Sequence, residues 1–295
     1  HDFIIDAAHM HPVAEEIGWY YREDQTRTIV VLNGVTANHP RCGLYNVVVG
    51  SQKWKELLLM GRTQFYGTPM ALKYGDTLLE AIDPDAVVGV VPWRIDTDFY
   101  CPGDTVEDYL LWLSRPTDYK GLGDALQVAE RLKLKLLVAP GLGNPAHERE
   151  LAAYNDQMDA ARKAGANIQL VKLPLDSTHH YAKREVMRRA KALLYPIKCH
   201  EPFGMVVVEA LSCGTPVIAY SRGAMPEIIQ HGKTGFLCEW HLPRDKSHPD
   251  LTDEMEQMCE AVKRVGELSR EEVRKDSLER WPYIRSAQEY LDLML

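Results

Sequence analysis

"KCHEPFGMVVVEALSCGTPVIAY", residues 198–220, decides how this chain folds. One acid, Glu201, precedes a Pro202-Phe203-Gly204 turn, and a second, Glu209, stands inside an apolar run. Val206 to Val208 suit a strand as well as a helix, because a short apolar run fits either. Gly214 and Pro216 supply a helix stop and "PVIAY" follows at once as a strand, which favours a buried helix beginning near Met205. Glu201 then lies in the loop and Glu209 about one and a half turns into the helix. Desolvating an unpaired carboxylate costs on the order of several kcal/mol, so both acids are expected to hold something.

Working outward, short apolar runs alternate with amphipathic stretches, the pattern of β-α-β units around a parallel sheet. "DYLLWLS" (108–114), "KLLVAPG" (135–141), "NIQLVKL" (167–173) and "KALLYPI" (191–197) read as strands. Between them, "GLGDALQVAERLKL" (121–134), "AHERELAAYNDQMDAARKAG" (146–165, ending in a glycine suited to a C-cap) and "THHYAKREVMRRA" (178–190) read as helices. The alternation predicts a doubly wound α/β domain. Upstream, "DFIID" (2–6), "TIVVLN" (28–33) and "NVVVGS" (46–51) read as strands, with a helix at "QKWKELLLMG". "DPDAVVGVVPWRIDTDFYCPGD" (83–104) breaks the periodicity and reads as a short strand entering a linker. Residues 239–254 read as an exposed polar loop before a helix over 252–266. The stretch 282–295 carries enough apolar surface to dock on a neighbouring domain.

The 295 residues fit about two domains, and the net charge of −8 disfavours nucleic acid or anionic lipid as a general partner. Six scattered cysteines with no close pair suggest reduced, buried thiols, and no apolar run reaches the ~18 residues that span a bilayer. A cytoplasmic location is the expectation. The chain opens on His1, so residues upstream of it are expected.

Ligands of open parallel sheets bind beyond the carboxyl ends of the strands, and "KALLYPI" delivers the chain to Glu201 at that edge. Carboxylate oxygens only accept, so they pair naturally with the hydroxyls of a diol. Glu209 can hold a ribose diol, Glu201 the hydroxyls of a second sugar, and the helix N-terminus near Gly204 an intervening phosphate. Arg115 and Lys120 in "LSRPTDYKG" follow a strand of the same domain and can neutralise a diphosphate without a metal. The plain structural reading is an ion pair between Glu209 and a core arginine, with Glu201 a solvated loop residue and Arg115 and Lys120 surface charges.

These residues resemble the retaining glycosyltransferases of family 4, also called glycosyl transferases group 1, which have the GT-B architecture of two Rossmann-like domains facing across a cleft. The matching pieces run in the family's order: "VGSQKWKELL", "VPWRIDTDFYCPGD", "LSRPTDYKG", "LYPIKCHEPFGMVVVEALSCGTPVIAY" and "SRGAMPEIIQHGKTGFLCE". The resemblance implies an N-terminal acceptor-side domain with its linker over 1–104, a nucleotide-sugar-binding domain over 105–278, and a C-terminal helix over 279–295 that crosses back. It implies catalytic roles for Glu201, Arg115 and Lys120. Glu209, Phe203, Gly204 and Met205 would bind the donor. Glu227 matches another family acid but also suits a helix N-terminus.

Three departures stand out. No glycine-rich loop precedes the first strand, so the first domain reads as truncated. Asn33 takes the place of a histidine near the reacting sugar, with His9 and His11 close by after the neighbouring strand; Asn33 and His9 are kept as donor-side candidates. Trp93–Arg94 replaces the family's Asn-Gly.

The expected activity is transfer of a sugar, with retention and without a metal or other cofactor, from a nucleoside diphosphate-sugar to an acceptor hydroxyl. The acceptor is a sugar, a lipid-linked group or a small molecule. Peripheral membrane or homo-oligomer contact through the N-terminal domain fits the family, and nucleic acid does not. The alternatives are a non-catalytic nucleotide-sugar-binding subunit that needs a partner, and a GT-B nucleotide-sugar epimerase. "DPD" (83–85) and "DTD" (96–98) have the form of metal-binding motifs but fall in the linker, and "HH" (179–180) lacks a third ligand.

Overall fold

The computed structural model describes residues 4–6, 28–32, 47–62, 85, 87–142, 145–174, 176–240 and 251–294. His9, His11 and Asn33 lie outside the described residues. The chain divides into two compact units. The first takes the described residues up to Arg94, the loop Cys199–Gly204 and the chain from Tyr283 onward; the second takes Ile95–Lys198 and Met205–Pro282.

In the first unit β1 (Ile4–Asp6), β2 (Thr28–Leu32), β3 (Val47–Val49) and β4 (Val87–Val90) form a parallel sheet in chain order. Ile4 pairs with Thr28, Val30 with Val47 and Val49 with Val90. The chain leaves β3 through Gly50 and Ser51 into α1 (Gln52–Leu59), where Ser51 is an extended N-cap whose side chain accepts the Trp54 N–H. Trp54, Leu57 and Leu58, three and four residues apart, make the buried stripe of α1.

The C-terminal helix, Tyr283–Met294, belongs to this unit. Arg94 forks onto both Glu289 oxygens at 2.8 and 2.7 Å, and Ser286 donates to the Pro92 carbonyl at 2.8 Å. Bidentate geometry makes this the stronger kind of ion pair.

The second unit holds six parallel strands: β5 (Leu110–Ser114), β6 (Lys135–Pro140), β7 (Asn167–Leu170), β8 (Ala192–Tyr195), β9 (Val217–Tyr220) and β10 (Gly235–Cys238). Their spatial order is β10-β9-β8-β5-β6-β7. The chain steps outward from β5 to β7, returns to the other side of β5, and steps outward again. The order therefore reverses between β5 and β8, the place where such sheets open a crevice for ligands.

The connections are α2 (Leu122–Leu132), α3 (Pro145–Ala152) with α4 (Asn155–Lys163), α5 (His179–Arg189), α6 (Met205–Ser212) and α7 (Met225–Ile228); α8 (Leu251–Arg264) and α9 (Arg270–Arg280) follow β10. Successive strand residues point to opposite faces. Leu110, Trp112, Ala192, Leu194 and Ile218 join the core beneath α2, α4 and α8, while Leu111, Leu193, Tyr195, Val217 and Ala219 are also fully buried. A parallel sheet covered on both faces needs such unbroken apolar strands.

Three features differ from the sequence expectation. Residues 146–165 form two helices, interrupted at Ala153 and Tyr154, with Tyr154 packed on the core. The expected glycine cap is present: Gly165 has φ +102°, its N–H bonds the Arg162 carbonyl and Ala166 bonds Ala161, a Schellman closure. The strand β10 and the helix α9 were not expected as elements. Of α9's residues only Val273, Asp276 and Ser277 are buried, so no apolar stripe announces it.

What α9 does instead is satisfy carbonyls. Arg270 donates to the Ala190 and Arg188 carbonyls and to Thr215 Oγ1, each at 2.8 Å, and Arg274 donates to the Ser212 and Tyr100 carbonyls at 2.8 and 2.9 Å. Helix α6 ends beneath this clamp in its own Schellman closure, Gly214 to Leu211 and Thr215 to Ala210, with Gly214 at φ +68°. A Cβ on Gly214 would lie 2.9 Å from the Arg270 carbonyl oxygen. Gly214→Ala should lower the unfolding free energy by about 2 kcal/mol, the upper range for a left-handed non-glycine residue, read by denaturant titration.

Candidate functional site

Two loops meet where the strand order reverses. The first leaves β5 at Ser114, exposes Arg115, and makes a 3₁₀ turn over Asp118–Lys120 before Gly121 opens α2. Gly121 has φ +73°, and a Cβ there would lie 1.9 Å from the Pro196 carbonyl oxygen on the second loop. Only glycine permits that approach. The Lys198 N–H then bonds the Tyr119 carbonyl at 2.9 Å, stitching loop to loop.

Lys120 is 7% exposed. The Trp112 indole donates to its carbonyl at 3.1 Å, and its ammonium donates to the Tyr195 hydroxyl at 3.3 Å. Arg115 is exposed and forms no ion pair with a described residue. Lys198 has a structural role: its ammonium donates to Asp124 Oδ1 at 2.6 Å while the Tyr220 hydroxyl donates to Oδ2 at 2.8 Å. Asp124 thereby ties α2 to β9 and to the loop after β8, and burial together with the Asp124 charge pushes the Tyr220 hydroxyl well above its ordinary pKa.

The second loop carries half-buried Glu201, then Pro202, Phe203 and Gly204, all buried, with Gly204 at φ +109°. Met205, largely exposed, begins α6, so the run that suits strand and helix alike is helical. Glu209 lies where the helical reading puts it. Its Oε1 accepts from Lys183 Nζ at 2.7 Å, and the side chains are 7% and 12% exposed. Its Oε2 is buried and meets no described residue in full hydrogen-bonding geometry, although the Tyr100 hydroxyl lies close enough to the carboxylate to interact with it. The core-cation reading is therefore half realised, with a lysine in place of an arginine. Tyr100 stands beside the pair: the Lys183 ammonium lies 5.5 Å from its ring centroid, its hydroxyl is 3.1 Å from His180 Nδ1, and burial, then the Glu209 charge and the interaction of its hydroxyl with the Glu209 carboxylate, raise its pKa well above normal.

Arg115, Lys120, Met205 and Glu209 belong to the second unit, and Glu201, Phe203 and Gly204 to the first. Glu227 is exposed in the short helix α7, and its carbonyl accepts from Arg280. Residues 83 and 84 of "DPD" lie outside the described residues, whereas "DTD" and the histidine pair have structural duties. Asp96 Oδ1 accepts the Asp98 and Phe99 N–H groups, and His179 Nδ1 bonds the Pro174 carbonyl at 2.7 Å. No group of three metal-ligating side chains occurs among the described residues.

Lys183, Tyr195 and Asp124 were not singled out from the sequence. Lys183 lies four residues before Met187, which the structure buries fully, so both share the inward face of α5. Lys183→Met leaves a buried carboxylate unpaired and should cost about 3 kcal/mol; adding Glu209→Leu should recover most of it, both read by denaturant unfolding.

A family model described as "Glycosyl transferases group 1" matches residues 104–265. The D-inositol 3-phosphate glycosyltransferase of Mycobacterium sp. (strain KMS) is 30% identical over 182 residues, 58% of this chain and 40% of that protein. The chain thus spans about two fifths of the length of that curated relative. A solved glycosyltransferase from Rickettsia africae ESF-5 superposes with TM-score 0.65 at 15% identity, covering 99% of this chain and 76% of that one. Anabaena Alr3699/HepE, solved in complex with UDP, superposes with TM-score 0.62 at 15% identity, covering 95% and 74%. At that identity the structural likeness concerns the fold, which is GT-B.

Proposed function

The chain belongs to the glycosyl transferases group 1 family, and we propose that it transfers a sugar from a nucleoside diphosphate-sugar to an acceptor hydroxyl. The observation that carries this reading is the placing of Arg115 and Lys120 on the loop after β5, beside the reversal of strand order. A guanidinium and an ammonium there suit a diphosphate, whose charge grows as the bond to the sugar breaks. Glu209 Oε2, buried and not taken by Lys183, suits a ribose hydroxyl, which supplies a donor and brings no opposing charge.

Glu201, with the backbone of Phe203, Gly204 and Met205, contacts the transferred sugar in this reading. The acceptor attacks on the face that the diphosphate leaves, so the anomeric configuration is retained and no protein nucleophile is required. The two cations take the part that a metal plays elsewhere, so the reaction proceeds without one. Among the described residues no helix is long and apolar enough to cross a membrane.

Labelled nucleotide-sugars incubated with the chain and candidate acceptors should yield free nucleoside diphosphate and an α-configured product from an α-linked donor, equally well in the presence of EDTA. Glu201→Gln and Arg115→Ala should each lower turnover about 100-fold, in the range of a lost transition-state contact, without moving the melting temperature. Wild-type rates in both variants would remove the assignment, and an inverted product would remove retention.

A further inference from the structure

The turn Gly50–Ser51 and the residue Trp93 have no part in the proposed chemistry, yet both touch the loop that carries Glu201. Ser51, 1% exposed, donates its hydroxyl proton to the Pro202 carbonyl at 2.6 Å while accepting the Trp54 N–H at 3.2 Å. Capping α1 requires only the acceptor; the donated bond is additional. Pro202 has no N–H, so its carbonyl is the one backbone group by which it can be held. Phe203, 2% exposed, meets the Trp93 ring edge-on with centroids 5.4 Å apart. Trp93 in turn lies over Gly50, where a Cβ would come within 2.9 Å of Trp93 Cε2. Its neighbour Arg94 is clamped to Glu289 of the C-terminal helix.

All of these residues belong to the first unit, whereas the loop is entered from Lys198 and left into Met205, both of the second. Residues 199–204 therefore take their packing from the first unit although they are inserted between β8 and α6. Trp93–Arg94, which stands where the family resemblance has Asn-Gly, is part of that packing.

We propose that Ser51 is a positioning residue for Glu201, holding the donor-sugar loop through the Pro202 carbonyl while Trp93 supports Phe203. The role rests on the reading of Glu201 as the contact to the transferred sugar. Ser51 acts through the loop backbone and does not itself touch the donor. Loss of its donated proton frees the carbonyl next to Glu201 and lets the carboxylate wander from the sugar hydroxyls, an error to which positioned reactions are sensitive.

Ser51→Gly separates the two duties, because glycine caps a helix nearly as well as serine but cannot donate to Pro202. Ser51→Thr keeps both bonds. In the full chain, hydrogen exchange at the Phe203, Gly204 and Met205 amides should quicken about tenfold in Ser51→Gly, with residues 52–59 unchanged, and return to normal in Ser51→Thr. Unchanged exchange in that loop overturns the proposal. With a donor that the wild type uses, kcat should fall about tenfold in Ser51→Gly while nucleoside diphosphate affinity holds, since Arg115, Lys120 and Glu209 lie in the other unit. Wild-type kcat, or a kcat loss matched by lost nucleotide affinity, also overturns it. If the wild type releases no nucleoside diphosphate from any donor, the proposed function fails, and the exchange measurement still decides whether Ser51 holds the loop.

Discussion

Burying Glu209 in α6 is unfavourable by on the order of several kcal/mol unless a cation meets it, and Lys183 does so at 2.7 Å. Much of the second unit is arranged around that pair. Helix α9 holds the end of α6, where Arg274 donates to the Ser212 carbonyl and Arg270 to the Thr215 hydroxyl. Helix α5 must place Lys183 at the right height, which the fully buried Met187 one turn later enforces. The pair is incomplete in one respect: a carboxylate has two oxygens, and Lys183 takes only Oε1. A buried carboxylate oxygen left without a cation is a position that a ligand hydroxyl can fill.

The same economy of glycine and charge shapes the neighbouring loops. Gly121 lets the loop after β5 touch the Pro196 carbonyl, and the Lys198–Asp124–Tyr220 group locks that contact. The result fixes Lys120 beside Tyr195 with Arg115 exposed at the same strand end. Tyr220, Cys213 and Cys238 are all raised in pKa by burial, the two thiols to about 12, so they stay neutral.

The doubly wound fold was legible because its strands are continuous apolar runs and its helices carry glycine or proline stops. Gly214 and Gly165 both close helices as their positions suggest. Glu209 was legible as an acid that needs a partner, because it stands amid the apolar run Val206–Leu211, and Lys183 supplies that partner. Three things were not. Helix α9 docks through arginines onto carbonyls and shows no apolar period. Lys183 is one of several basic residues on α5, and only the burial of Met187 picks it out. The attachment of residues 199–204 to Ser51 and Trp93 joins positions ~150 and ~110 residues apart, a separation that no local pattern encodes.

The central claim is that Glu209 Oε2 is kept for the ribose of a nucleoside diphosphate. Titration calorimetry with the tightest-binding nucleoside diphosphate and with its 2′,3′-dideoxy analogue tests it most directly. The account predicts that the wild type favours the diol-bearing ligand at least tenfold and that Glu209→Gln narrows the gap to near unity. Equal affinity of the wild type for both ligands would contradict it.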